Sequence, residues 1–363
     1  MAHAHQKRLA RLRELLQTVQ ASARLVTHLP NVFYLSGFSG DAGALLVEAS
    51  KATLFTDGRF TIQAREEVRV ARMNIVRVPL PVAIGGYLQE QKRQIVCAFE
   101  DDRVTVSQFA SLRKHSGKKV SWKGARGIVE SLRAVKDAHE IQLMRDAAIL
   151  GSSVMTEVIG LLRPGMTESH VAAEIDLRMR RGGASGSSFE TIVASGPRTA
   201  WPHARPTGKI LGKNELVVLD LGAILRGYSS DLTRTVYLGR APQEIRRWYA
   251  AVVAAQSAAR GAIRAGVTTG EVDAAARGTL ARAGLGRFFV HSTGHGLGLE
   301  VHEGPRLARG QKDVLQAGNV VTVEPGVYVP GRGGIRVEDD VLVLENGSET
   351  LTTAARELVE IPV

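Results

Sequence analysis

Acidic residues set inside apolar strands are the first place to look for chemistry in this chain. Asp220 and Asp231 flank a turn in VLDLGAILRGYSSDLTRT, and Glu324 and Glu338 flank another in VTVEPGVYVPGRGGIRVEDD. Between the two lies HSTGHGLGLEVHEGP, which carries His291, His295 and His302. A carboxylate is costly to bury unless its charge is compensated. A pair of divalent metal ions compensates four of them, and the set then reads as a metallohydrolase centre.

The elements that must position these groups are two hairpins. A first turn centred between Leu225 and Arg226 sets Asp220 directly opposite Asp231. A second turn centred on Gly331 sets Glu324 opposite Glu338. Directly opposed residues share a face with Cβ atoms about 4.5–5.5 Å apart, where two like charges repel unless a cation intervenes.

The hairpins also fall at equivalent places in a repeat. Arg163-Pro-Gly165-Met-Thr167 resembles Arg264-Ala-Gly266-Val-Thr268, and each copy continues as helix, helix, strand and hairpin. In both copies a Thr stands as N-cap after a Gly stop. Asp220 and Glu324 are 104 residues apart, and Asp231 and Glu338 are 107 apart. A duplicated α+β unit would bring both hairpins together across a pseudo-twofold axis.

His295, flanked by glycines in Gly294-His295-Gly296, is the candidate nitrogen ligand, because glycine lets backbone approach a ligand closely. One imidazole and four carboxylates form a hard, oxygen-rich set that suits Mn²⁺ and also admits Co²⁺ or Zn²⁺. His203, in the loop Trp201-Pro202-His203-Ala204-Arg205-Pro206-Thr207, and His302 are not needed as ligands. Either can donate a hydrogen bond to a carbonyl or a developing oxyanion, or be structural. HExxH, GxSxG and GxxxxGK[ST] are absent, and GHGLGL misses the dinucleotide fingerprint by one position.

Composition sets the outer bounds. With 363 residues the chain is long enough for two domains, and 44% apolar with 23% charged residues is ordinary for a globular protein. No stretch approaches the roughly 18 apolar residues that cross a bilayer. The N-terminal MAHAHQKRLARLRELLQ has no apolar run of the secretory type, and His3 and His5 are given no role. Cys97, the single cysteine, sits in the apolar run 95–99 as a buried strand residue, and its isolation fits a cytoplasmic protein. The net charge of +11 is dispersed, with no long basic run and no interleaved aromatics, which argues against a nucleic-acid partner.

Residues 1–127 alternate helix-like and strand-like segments: helices at 6–19, 59–67 and 106–114, and strands at 24–27, 44–48, 52–55 and 95–99. This is a small α/β domain without a ligand cluster. A linker is expected at 128–136, and 137–162 reads as one long helix closed by Pro164-Gly165.

The order Asp, Asp, His, Glu, Glu in D-x10-D, GHGLG, VEPG and RVEDD resembles the pita-bread metallopeptidases. Within that family it is similar to the Xaa-Pro branch, proline dipeptidase (prolidase) and Xaa-Pro aminopeptidase. Tyr34-Leu35-Ser36-Gly37-Phe38 and Thr56-Asp57-Gly58-Arg59-Phe60 resemble that branch's creatinase-like N-terminal domain, and 129–148 its interdomain helix.

The resemblance implies an α+β fold: a duplicated pita-bread catalytic domain at 137–363 behind the smaller domain at 1–127. It implies that Asp220 chelates one of two divalent ions, that Asp231 and Glu338 bridge both, and that His295 and Glu324 hold the other. It gives His203 and His302 substrate and transition-state roles, lets Glu324 also handle a proton, and places His291 and Arg336 in the pocket. The implied reaction is hydrolysis of the imide bond before proline, in a homodimer.

Whether the substrate is a dipeptide or a longer peptide turns on capture of a free carboxylate after proline. Arg336 is one candidate for this, and Arg59 supplied by a dimer partner is another. Methionine aminopeptidases lack this N-terminal domain as a rule, and creatinase-type homologues lack the ligands. A non-catalytic binding protein on the same fold would also be expected to lose ligands.

Overall fold

The computed structural model describes residues 2–363. Two compact units divide at Arg133/Ala134. That division falls within 128–136, the segment expected as a linker, which contains the helix Ile128–Ala134 with Val129 and Leu132 buried.

The first unit is a six-stranded mixed sheet in the order Arg72–Val76, Ala52–Asp57, Gly43–Glu48, Ala23–Val26, Ile95–Phe99, Val120–Gly124. Leu25, Leu46, Phe55 and Cys97 are fully buried in its core. Burial pushes the Cys97 thiol up to about 12, so it is an inert strand residue as expected. The helix Val106–Ser116 starts on a capping box from Thr105 and Gln108. Arg59 is exposed and its guanidinium is taken by Asp57, at 2.8 Å and 3.0 Å. No helix among the described residues is long and apolar enough to cross a membrane.

The second unit carries the repeat. Helices Ala138–Leu161 and Glu168–Arg181 open its first half, and Gln243–Ala262 and Thr269–Arg282 open its second. Gly165 and Gly266 both have positive φ, 94° and 85°. Thr167 and Thr268 cap the following helices by accepting from the N–H groups of His170 and Glu271. Each half then supplies its own sheet: Glu215–Leu221, Leu232–Leu238 and their neighbours in one, Val320–Val323, Asp339–Leu344 and theirs in the other. Two buried apolar cores form, one mainly from each half, with Leu216 and Tyr237 of the first sheet packed into the second.

The first hairpin departs from the expected register. Leu225 pairs with Tyr228, so Arg226-Gly227 forms a two-residue turn with φ 51° and 88°. Positive φ at both positions is the turn that matches strand twist. Asp220 therefore faces Thr233, not Asp231. Asp231 sits diagonally from Asp220, and the register sets it opposite Gly222. A Cβ at Gly222 would lie 2.1 Å from the Ser230 carbonyl oxygen, so only glycine fits there.

The second hairpin keeps its expected register: Val323 pairs with Asp339 and Gly326 with Arg336, across a tip in which Gly331 has φ 74°. Glu324 and Glu338 are opposed in that register, yet the ladder opens at this step. The Glu324 N–H donates to the Thr293 carbonyl at 2.8 Å, and the Glu338 N–H to the Thr233 carbonyl at 3.1 Å. One glutamate is thereby stitched to the histidine segment and the other to the first hairpin.

Candidate metal centre and cleft

These pairings gather the acidic groups from both halves. Ligand atoms of Asp231, His295 and Glu338 all lie within 4.8 Å of one another. His295 Nε2 stands 3.6 Å from Asp231 Oδ2 and 3.4 Å from Glu324 Oε1. Its Nδ1 donates to the Gly296 carbonyl at 3.0 Å, which leaves the Nε2 lone pair facing the carboxylates. The Thr233 hydroxyl donates to Glu338 Oε2 at 2.5 Å, and the Asp231 N–H to Asp340 Oδ2 at 3.1 Å.

Asp220 lines the same cavity as these groups. Its Oδ2 accepts from Arg336 Nη2 at 2.5 Å, while its buried Oδ1 has no hydrogen-bond partner. A buried oxygen left without a donor is what a cation site requires.

Electrostatics agree with the geometry. Burial pushes the Asp231 and Glu338 carboxyls well above the usual carboxylate range, and the surrounding carboxylates push them further. Burial likewise raises Glu324, opposed by the Arg336 charge and aided by Asp220, to about 7. His295 is pushed down to about 4 by burial, so it is a neutral imidazole at physiological pH, the form that ligates metal. Four carboxylates and one such imidazole therefore fit divalent ions. Asp231, Glu338, His295, Glu324 and Asp220 are the residues that would hold them.

A cleft opens over this floor. One cavity of about 400 Å³ and an adjoining one of about 280 Å³ share His203, His295, His302, Glu324 and Arg336 in their walls. His203 and His302 are exposed to it, and the His302 ring centroid is 4.4 Å from that of His295. His291 also lines it, but both its ring nitrogens are engaged. Nδ1 donates to the Ser292 carbonyl at 2.7 Å, and Nε2 accepts from the Tyr328 hydroxyl at 2.9 Å. Burial pushes His291 down to about 3.

Arg336 is at the cleft, as its position in GGIRVEDD suggested, but its guanidinium is committed. It donates to Asp220, the Tyr328 hydroxyl, the Thr233 hydroxyl and the Pro202 carbonyl. This corrects its reading as the catcher of a substrate carboxylate. Arg306, which also lines the cleft, is exposed and engages no hydrogen bond or ion pair among the described residues.

Sequence reasoning passed over Arg306, Tyr328, Thr233 and Asp340. Thr233 and Asp340 sit two residues from ligands on the same strands, so strand alternation was a usable signal for them. Tyr328 and Arg306 carry none.

A model of metallopeptidase family M24 matches residues 142–345, and one of the creatinase/prolidase N-terminal domain matches residues 8–135. The chain is 34% identical over 330 residues to an Xaa-Pro dipeptidase of Pyrococcus furiosus, covering 91% of this chain and 92% of that one. Among solved structures it is similar to an Xaa-Pro dipeptidase from Bacillus anthracis, at TM-score 0.94 and 34% identity, over 98% of this chain and 100% of that one. It is also similar to an X-Pro aminopeptidase from Thermotoga maritima, at TM-score 0.90 and 34% identity, over 97% and 99%.

Proposed function

The chain belongs to metallopeptidase family M24, and we propose that it is a metal-dependent peptidase that hydrolyses the imide bond of Xaa-Pro dipeptides. The observation that carries this reading is the buried Asp231–His295–Glu338 cluster on the floor of a cleft walled by His203 and His302. A bound pair of divalent ions supplies Lewis-acid and water-activating chemistry at neutral pH. Mn²⁺ is the ion this reading favours, since the donors are mostly carboxylate oxygens. The reading also carries a homodimer, as the resemblance implies.

The chain's own groups do the rest. Glu324, on the cleft floor 3.4 Å from His295 Nε2, is placed both to take a proton and to return one. The proline nitrogen carries no hydrogen in the scissile bond and must be protonated as it leaves, which Glu324 serves. His203 and His302, exposed to the cleft, donate to the oxygen on which charge develops. Arg336 acts indirectly, by fixing the Asp220 carboxylate and the Pro202 backbone next to His203.

Carboxylate capture falls to Arg306, the cationic wall residue with unused donors. An arginine free to make a two-pronged contact with a chain terminus favours a dipeptide over a longer peptide. Turnover of Ala-Pro, Ala-Pro-Ala and Ala-Ala with Mn²⁺ and with EDTA tests the reading. Ala-Pro is expected to be cleaved fastest and only with metal. Preference for Ala-Pro-Ala would make it an aminopeptidase, and inertness toward both prolyl substrates would end the proposal.

A further inference from the structure

Glu168 is fully buried at the first residue of the helix Glu168–Arg181, in the repeated Gly-x-Thr segment, and it lies outside the metal-ligand set. Five donors converge on its carboxylate. The Ser195 N–H and hydroxyl reach Oε1 at 2.9 Å and 3.0 Å, and the Thr207 N–H and hydroxyl reach Oε2 at 3.1 Å and 2.7 Å. Arg198 Nε stands 3.2 Å from both oxygens, and its Nη2 donates to the Arg205 carbonyl at 2.6 Å. Ser195 and Thr207 are the two ends of the segment that carries His203. One carboxylate therefore closes that loop at its base, while Arg198 spans its interior. Further anchors are Arg336 to the Pro202 carbonyl at 3.2 Å, the Gly334 N–H to the Thr199 hydroxyl at 2.8 Å, and Arg205 to Glu190 at 3.0 Å.

The second half uses the same device. Asp273 is buried on the helix Thr269–Arg282 and accepts from the Thr293 N–H and hydroxyl at 3.2 Å and 2.8 Å. Arg277 pairs with Asp273 and also donates to the carbonyls of Phe289 and His291. In each half a helix-borne carboxylate, an arginine and a hydroxyl residue hold a loop that carries a cleft histidine.

We propose that Glu168 is a positioning residue for His203, acting on the reaction through the geometry of the 195–207 loop. The inference rests on the role given to His203 above. In Glu168→Gln the amide NH₂ would face donors in place of an acceptor oxygen, which opens one end of the loop. A shift of about 1 Å in a reacting group can cost roughly 10²-fold in rate. The expected result is therefore a fall in kcat of about that size on Ala-Pro, with KM and metal content little changed.

The readout that separates positioning from stability is a double-mutant cycle with His203→Ala in the Mn²⁺-loaded full chain. Glu168→Gln should cost nothing further once the imidazole is gone, and Glu168→Asp should recover part of the rate. If Glu168→Gln does not fold, Thr207→Val, which removes one donor to Glu168, enters the same cycle with a smaller loss. Wild-type kcat in Glu168→Gln, or in Thr207→Val where that variant stands in, alongside an impaired His203→Ala would overturn this inference alone. So would losses that multiply in the double variant. An undiminished His203→Ala would overturn the role of His203 and this inference with it.

Discussion

Stripping divalent ions should make the stability of this protein fall as pH rises, against the usual trend for carboxylate-rich folds. Glu324 carries the argument. Its carboxyl lies at about 7 in the folded chain against an ordinary 4.5, because it is buried beside other acids. A group that holds its proton more tightly folded than unfolded stabilises the fold below the unfolded value. That contribution is lost as pH climbs from 4.5 through about 7. The shift corresponds to roughly 3 kcal/mol at about 1.4 kcal/mol per unit. The side chain is only 16% exposed, so solvent screens little of it. Asp231 and Glu338, also pushed upward, add in the same direction.

Bound cations reverse the sign. They require the ionised carboxylates, so their affinity grows as the protons leave. The Tm difference between Mn²⁺-loaded and EDTA-treated protein should therefore widen between about pH 5 and pH 8. For a catalytic unit of about 230 residues, ~3 kcal/mol corresponds to roughly 6–12 °C. Thermal melts in matched buffers at half-unit steps measure it. A gap that stays constant or narrows across that window would refute the idea that these acids are held close enough to need a cation.

Asp231→Asn and Glu338→Gln should each abolish Ala-Pro hydrolysis while leaving the EDTA-treated form at least as stable as the parent, since one repelling charge is gone; full activity at saturating Mn²⁺ would count against their metal role. Arg306→Gln should raise KM for Ala-Pro by roughly 10- to 150-fold, the worth of a charge-assisted hydrogen bond of about 1.5–3 kcal/mol, and affect Ala-Pro-Ala less. Equal effects on both substrates would remove Arg306 as the carboxylate contact. Gly294→Ala should destabilise by about 3 kcal/mol or more, read as a lowered urea midpoint, because its Cβ would lie 1.9 Å from the Thr322 carbonyl oxygen. An unchanged midpoint would contradict that.

What the sequence disclosed follows from which interactions are local. The long helix after Asp137 was legible because Asp137 and Glu140 form a capping box and Gly165 follows its end. The helix Leu80–Gln89 was not, since LPVAIGGYLQ carries two glycines and no polar face. Gly85 is there because a Cβ would lie 2.7 Å from His115 Cβ, a contact made across thirty positions of chain. The edge strand Arg72–Val76 is half exposed and lacks alternation. At the site, carboxylates in apolar strands identify themselves by type. Tyr328 does not, because it matters only through Arg336 and His291, which a sequence does not place beside it.

The two hairpins solve one electrostatic problem in two ways. Both were expected to set a pair of acids face to face at about 5 Å. In the first, the Arg226-Gly227 turn shifts the register so that Asp220 faces the neutral Thr233 and meets Asp231 only on the diagonal, about 7–8 Å away in a regular ladder. In the second, the register holds, and repulsion is met by parting the strands: Glu324 and Glu338 give their N–H groups to Thr293 and Thr233. Parting would cost two backbone hydrogen bonds if neighbours did not replace them, and the replacements come from opposite sides of the centre. The symmetry seen in the sequence is therefore broken at the step where the acids meet. That break lets Asp231 and Glu338, one from each half, converge with His295, with Glu324 Oε1 also 3.4 Å from its Nε2. A register slip in the first hairpin, for instance by inserting one residue at Gly227, should turn Asp231 to the opposite face of the sheet and abolish metal retention, with the helices of the first half left in place.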